Sequence, residues 1–364
     1  MLRAISTTLM RGGTSKGLFF SASDLPSEPT VRDRVLLAAM GSPDIRQIDG
    51  VGGGHPLTSK VAIVSPSHRP DADVDYLFLQ IAVDKAEVSD SQNCGNMLAG
   101  VGPWAIENGL VQASGETTQV RIHMVNSGSV AVADVSTPDS LVCYEGDCQI
   151  SGVPGSAAAI PISFLGITGA TTGALLPTGN VIDCVNGVEV TCIDNGMPVV
   201  LMRAADFGKT GREIPSDLEK DASLKARIEQ IRLAIAPRMN LGDVTKKTVP
   251  KLCLLSPPIN GGSIMTQTFI PHRVHQAIGV LGAVSVATGC LLPRSVADGI
   301  AQVPAAIGNQ YRANIEHPTG SFSVDLKLDT TLTPPTVTYA ALIRTARKLM
   351  AGEVYVDLST GANP

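Results

Sequence analysis

Two stretches of small apolar residues, Gly95 to Leu110 and Val274 to Cys290, constrain this chain more than anything else in it. Each reads as a helix with glycine and alanine on every side, and a helix that is apolar all round has to be enclosed. Each also lies in a half otherwise made of short alternating strands. In the first half these are Ala4 to Met10 and Gly17 to Ser21, joined by a turn, then Lys60 to Val64, Tyr76 to Val83, Val120 to Val125, Ser129 to Val135 and Leu141 to Tyr144. The second half repeats the style, with strands at Gly187 to Ile193, Pro198 to Arg203, Val249 to Leu255, Ser263 to Phe269, Tyr311 to Glu316, Ser321 to Leu328 and Val337 to Ile343. A curved sheet wrapped around each helix meets both demands, which predicts two related α+β domains facing one cleft. The length of 364 residues agrees, being too long for one ordinary core. The loose Gly/Pro/Ala segment from Gly152 to Gly179 holds the crossover. The expected division is 1–175 and 176–344, with 345–364 rejoining the first domain.

Composition removes several function classes. With 44% hydrophobic and 17% charged residues the chain reads as a compact soluble protein. Aromatics at 4% leave few platforms for stacked bases, and a net charge of −5 argues against nucleic acid or an anionic membrane as partner. The start, MLRAISTTLMRGG, does not read as a signal peptide, and there is no apolar run of about 18 residues. Seven irregularly spaced cysteines read as reduced thiols of a cytoplasmic protein. Cys143 and Cys148 form a C-x4-C pair with no second pair nearby, so they read as strand or turn thiols and no metal is assigned. His68, His123 and His275 read as surface or packing residues.

Three motifs carry candidate chemistry. RGGTSKG at 11–17 fails as a phosphate loop, because Ser15 precedes Lys16 and both flanks are strand-like. It is compatible with a plain hairpin turn, and with anion binding by its backbone N–H groups, the hydroxyls of Thr14 and Ser15, and Lys16. In LTSKVAIV at 57–64, Lys60 stands directly before an aliphatic strand. It is either a snorkelling lysine or one desolvated at a cleft, where the neutral amine is favoured and can act as a base. In QNCGN at 92–96, Asn93 reads as an N-cap and Cys94 falls at a helix N-terminus, where unpaired N–H groups and the dipole favour thiolates and carboxylates. Gly95 lets a ligand approach the backbone there. Packing remains the alternative role for Cys94. His55 lies in a loop, and nothing in the spacing ties it to Cys94 as a partner; His272 and His317 occupy turns where a ligand contact and a turn role are both open.

Taken together, RGGTSKG at 11–17, SPDIRQIDG at 42–50, PLTSKVAIV at 56–64, NCGNMLAGVGPWAIENGLV at 93–111, LLPTGN at 175–180 and IRTARKLMAGEVYV at 343–356 resemble the PrpF family. The resemblance runs from about residue 2 to residue 357. It implies a diaminopimelate-epimerase-like fold, with two similar domains, each a curved sheet around a central helix, and the active site in the cleft between them. It also implies proton transfer without a cofactor, with Lys60 and Cys94 matching the family's lysine and cysteine. Related epimerases use a thiol from each domain; here His272 and Arg273 occupy the corresponding second-half region, which argues against an amino-acid racemase. Thr14, Ser15, Lys16, Thr58, Ser59, Asn93, Gly95, Asn96, Gly179, Asn180, His272 and Arg273 are the substrate-binding residues this likeness suggests. VEVTCIDNGMPVVLMRAADFG at 188–208, TVPKLCLL at 248–255 and FIPHRVHQAIGVLGAVSVATGC at 269–290 most resemble the branch that acts on 4-oxalomesaconate in gallate or protocatechuate breakdown.

The expected function is therefore a tautomerase or 1,3-allylic isomerase of an unsaturated keto-tricarboxylate. Isomerisation of 2-methylaconitate or 3-methylitaconate is the alternative within the family, and a non-catalytic carboxylate-binding protein is the alternative outside it. A pyridoxal enzyme is disfavoured because the usual strand-to-helix phosphate cup is missing. The expected partner is a small di- or tricarboxylate, with no nucleic acid and no membrane; a homo-oligomer is compatible with this reading.

Overall fold

The computed structural model describes residues 2–91, 93–329, 331–332 and 336–357. Gln92 of the 92–96 motif and the end of the 345–364 tail lie outside them. The chain forms two compact units, one from 1–165 with 344–364, the other from 166–343.

The first unit contains β1 (Leu2–Gly12), β2 (Ser15–Ser21), α1 (Pro29–Met40), β3 (Lys60–Pro66), β4 (Val74–Ile81), the short β5 (Val88–Ser89), α2 (Gly95–Glu107), β6 (Thr117–Met124), β7 (Ser129–Ser136) and β8 (Ile160–Phe164). Its ladder runs β1-β2-β3-β4-β6-β7-β8, parallel at β2–β3 and β4–β6 and antiparallel at the other steps. The sheet encloses α2. Met97, Leu98, Val101 and Trp104 pack against Met10, Phe19, Tyr76, Phe78, Val120, Ile122 and Ile162. Glycine sets how close the helix comes, since a Cβ at Gly100 would lie 2.7 Å from the Phe19 ring. The outer face carries α1, which opens on Glu28 accepting from the N–H groups of Thr30 and Val31 and closes on the left-handed Gly41. Leu18, Phe20, Val61 and Ile63 alternate with the α2-facing residues and pack under it.

The second unit contains β9 (Asp183–Val185), β10 (Val188–Asp194), β11 (Pro198–Arg203), α3 (Pro215–Lys220), α4 (Ala222–Ile235), β12 (Lys251–Ser256), β13 (Ile264–Ile270), the short β14 (Arg273–Val274), α5 (Val280–Leu291), β15 (Tyr311–His317), β16 (Gly320–Asp329) and β17 (Thr336–Arg344). Its ladder runs β10-β11-β12-β13-β15-β16-β17, parallel at β11–β12 and β13–β15. That is the pattern of the first unit repeated strand for strand. The helix α5 lies among Ile193, Leu201, Leu255, Ile315 and Val324, and α3 and α4 cover the other face. Last comes β18 (Ala346–Asp357), which pairs antiparallel with β1 in the first unit.

Three sequence expectations are corrected. Leu141 to Tyr144 is irregular rather than a strand, with Leu141 exposed. The second small-residue helix starts at Val280, not Val274, because Arg273 and Val274 turn back to pair with Ile270 and Phe269. Cys94, not Asn93, is the N-cap of α2. The segment 346–357, for which the sequence alone predicts no element, forms a full strand. Among the described residues no helix is long and apolar enough to cross a membrane.

Candidate active site

Lys60 opens β3 and Cys94 caps α2, and the two side chains meet: Lys60 Nζ lies 3.2 Å from Cys94 Sγ. Both are nearly enclosed, at 7% and 8% exposure. The meeting follows from register. Gly17 of β2 lies beside Lys60, and a Cβ at Gly17 would stand 2.1 Å from the Lys60 carbonyl. That proximity aims Lys60 at the α2 side of the sheet, together with Met10 and Phe19. Cys94 keeps an extended backbone, and its carbonyl accepts the first helical N–H bond, from Leu98, at 3.0 Å. Its side chain makes no capping bond, which leaves the sulfur to Lys60.

The surroundings are apolar with a few placed dipoles. Lys60 Nζ is 5.6 Å from the centroid of the Phe78 ring, and Tyr76 Oη donates to the Cys94 carbonyl at 3.3 Å. Burial holds the Tyr76 phenol well above its ordinary value, so it stays a donor. Arg344 is also buried, at 3% exposure. Burial pushes its guanidinium down to about 10 against the raising influence of Cys148 and Cys94, so it remains a cation. Sequence reasoning missed Arg344 as a site residue; the signal was its place in the 343–356 motif.

The remaining expected residues divide. Thr14 Oγ1 accepts from Asn96 Nδ2 at 3.0 Å, and a Cβ at Gly12 would stand 2.4 Å from the Asn96 carbonyl, so the 11–17 turn leans on the start of α2. Gly95 and Asn96 are half-buried in that first turn, and Asn93 is exposed before it. Ser15 is buried, with a hydroxyl that has no partner. Lys16 alternates with Gly17 and so projects from the opposite face to Lys60. Thr58 and Ser59 bond the His55 carbonyl at 3.1 and 2.9 Å, and Ser59 also donates to Gln47 Oε1 at 2.7 Å. They hold the loop before Lys60. In the second unit Gly179 is exposed at φ +77°, Asn180 Nδ2 donates to Asp183 Oδ1 at 3.1 Å, and His272 and Arg273 are exposed at β14.

A buried amine touching a thiol, with one helix N-terminus at hand, can take a proton at one atom and give one at another. Residues 2–357 match the model of a family described as PrpF protein. The chain is 57% identical to a 4-oxalomesaconate tautomerase of Pseudomonas putida, over 99% of this chain and 98% of that one. It is 59% identical to a (4E)-oxalomesaconate Delta-isomerase of a Novosphingobium species, over 95% and 96%. The crystal structure of a methylitaconate-delta-isomerase superimposes with a TM-score of 0.85 at 34% identity, covering 100% of this chain and 99% of that one. The chain belongs to the PrpF family, and its units have the epimerase-like fold.

Proposed function

We propose that this PrpF-family chain is an isomerase of 4-oxalomesaconate that moves one proton with Lys60 and Cys94. The buried 3.2 Å approach of amine and thiol carries the reading, and the two oxalomesaconate relatives support the substrate. The methylene of 4-oxalomesaconate lies between a ketone and a carboxylated alkene, so both sides acidify it. The Lys60 amine removes one of its protons and becomes an ammonium. The dienolate that forms accepts a proton from the Cys94 thiol at the far carbon, which shifts the double bond; protonation at oxygen gives the enol instead. Either way the pair ends as ammonium and thiolate in contact, and one proton passing from Nζ to Sγ restores it. The first-turn N–H groups of α2 offer donors to the delocalised charge. The scheme uses one base and one acid and calls for no cofactor.

The test is proton NMR in deuterated water, with 4-oxalomesaconate and the two 2-methylaconitate isomers assayed side by side. Wild type is expected to turn over 4-oxalomesaconate fastest and to exchange its methylene protons. Lys60→Met should lower turnover by roughly 10²–10⁴-fold, the usual contribution of a positioned base. Turnover within a few-fold of wild type would refute the base assignment. Cys94→Ala should still exchange the methylene protons but fail to shift the double bond. Faster turnover of 2-methylaconitate would favour the family's other reaction, which the 34% identical methylitaconate isomerase structure keeps in view.

A further inference from the structure

Three cations stand in one row across the β2–β1–β18 ladder. Arg11 is the direct cross-strand partner of Lys16 on one side and of Arg347 on the other. Like charges placed directly opposite destabilise a sheet. Nothing offsets them here: among the described residues no carboxylate forms an ion pair with any of the three, whereas Lys348, next along β18, has Glu107 at 2.7 Å. Arg11 Nη1 donates to the carbonyls of Gly13 and Thr345 and to the Thr345 hydroxyl at 2.9–3.0 Å, which fixes the guanidinium without neutralising it. Burial, and then the charge of Arg347, hold Arg11 below its ordinary value. All three cations line a cavity of about 700 Å³ in the first unit. Ser15 borders it at the ladder end, but alternates with Lys16 and so shares the Gly17 face. The one acidic side chain in the lining, Glu145, is exposed and makes no ion pair with the row.

We infer that Lys16, Arg11 and Arg347 form a binding site for a small polyanion bearing carboxylate or phosphate groups, separate from the Lys60–Cys94 pair. Two guanidiniums and an ammonium in register match a ligand with at least two charged groups, and the cavity volume suits a small metabolite. Separateness follows from the pleat. Gly17, Met10 and Lys60 face α2, while the row alternates with them and leaves the other side of the ladder. The two places share the 12–15 turn, whose Thr14 is bonded to Asn96 at the start of α2. An anion that steadies this turn therefore also steadies the helix end that carries Cys94.

Citrate and inorganic pyrophosphate are titrated separately by isothermal calorimetry into the full-length wild type, Arg347→Gln and Lys60→Met, at ionic strength matched with chloride. Saturable binding of at least one anion is expected, weakened tenfold or more in Arg347→Gln and changed less than twofold in Lys60→Met. Cys94→Ala replaces Lys60→Met if that variant does not fold. Binding of citrate alone assigns the site to carboxylates, and binding of pyrophosphate alone to phosphates. In chloride alone Arg347→Gln should melt higher than wild type, because a repulsion is removed. The inference is overturned if neither anion saturates, if Arg347→Gln binds like wild type, or if Arg347→Gln melts lower in chloride.

Discussion

Lys60 and Cys94 stand thirty-four residues apart in sequence, and each reaches the other for a local reason. Lys60 is the residue at which a parallel pairing begins beside a glycine, and Cys94 is the last extended residue before a helix. Both positions were legible, because a lysine before VAIV and a thiol between Asn93 and Gly95 are poor packing choices. Arg344 was not, since an arginine in a strand-like run reads as solvated until burial is known. The thiols separate by environment in the same way. Burial pushes Cys192 and Cys253 up to about 12, whereas Cys184 is exposed. Because the thiolate is the reactive form, Cys184 should be alkylated within minutes at pH 8 and Cys192 and Cys253 only after unfolding. Peptide mass spectrometry of native and urea-treated protein checks this, and early labelling of Cys253 would contradict the packing described.

Among the elements, the small-residue helices were legible because apolar residues on every side admit only enclosure. Their starts were not. The N-terminus of α5 shifted by six residues because Arg273 and Val274 found a pairing partner in β13, a tertiary fact. The hairpin 2–21 was legible from alternation and from its glycines, and one of these does more than turn. Gly17→Ala would set a Cβ 2.1 Å from the Lys60 carbonyl and 2.8 Å from the Met97 side chain. Overpacking of this kind typically costs about 1–3 kcal/mol, and here the backbone that must yield carries Lys60. Denaturant unfolding should show that loss, with turnover falling well beyond it at saturating substrate. Full activity together with normal stability would show that β3 tolerates the shift.

For the whole molecule, the informative fact is the repeat. Strand for strand, β1–β8 with α2 and β10–β17 with α5 share one order and one alternation of parallel and antiparallel steps. The repeat sets Lys251 at the start of β12 where Lys60 starts β3, and Gly279 as N-cap where the first unit has Cys94. The second helix start is therefore without a thiol, as expected, although the residue there is Gly279 and not His272 or Arg273. The first unit is completed from the far end of the chain by β18, with Val354 and Val356 buried beside β1. A chain ending at Thr345 should lose the native structure of that unit. Trp104, the single tryptophan, sits in α2 and reports on it. Its emission should shift to the red and α2 should become protease-sensitive; unchanged emission would mean that β1 holds without its partner.

The sequence by itself determined the fold class, the two helices that must be enclosed, the family, and the lysine and cysteine on which the proposed chemistry rests. All of these are written in patterns local to a few residues or in motifs kept in order. Tertiary structure alone decided that amine and thiol touch, that Arg344 is buried, that β18 pairs with β1, and that Lys16, Arg11 and Arg347 fall into one uncompensated row. Each depends on register between strands distant in sequence. A shift of one residue would turn every one of those side chains to the other face, and no local pattern records it.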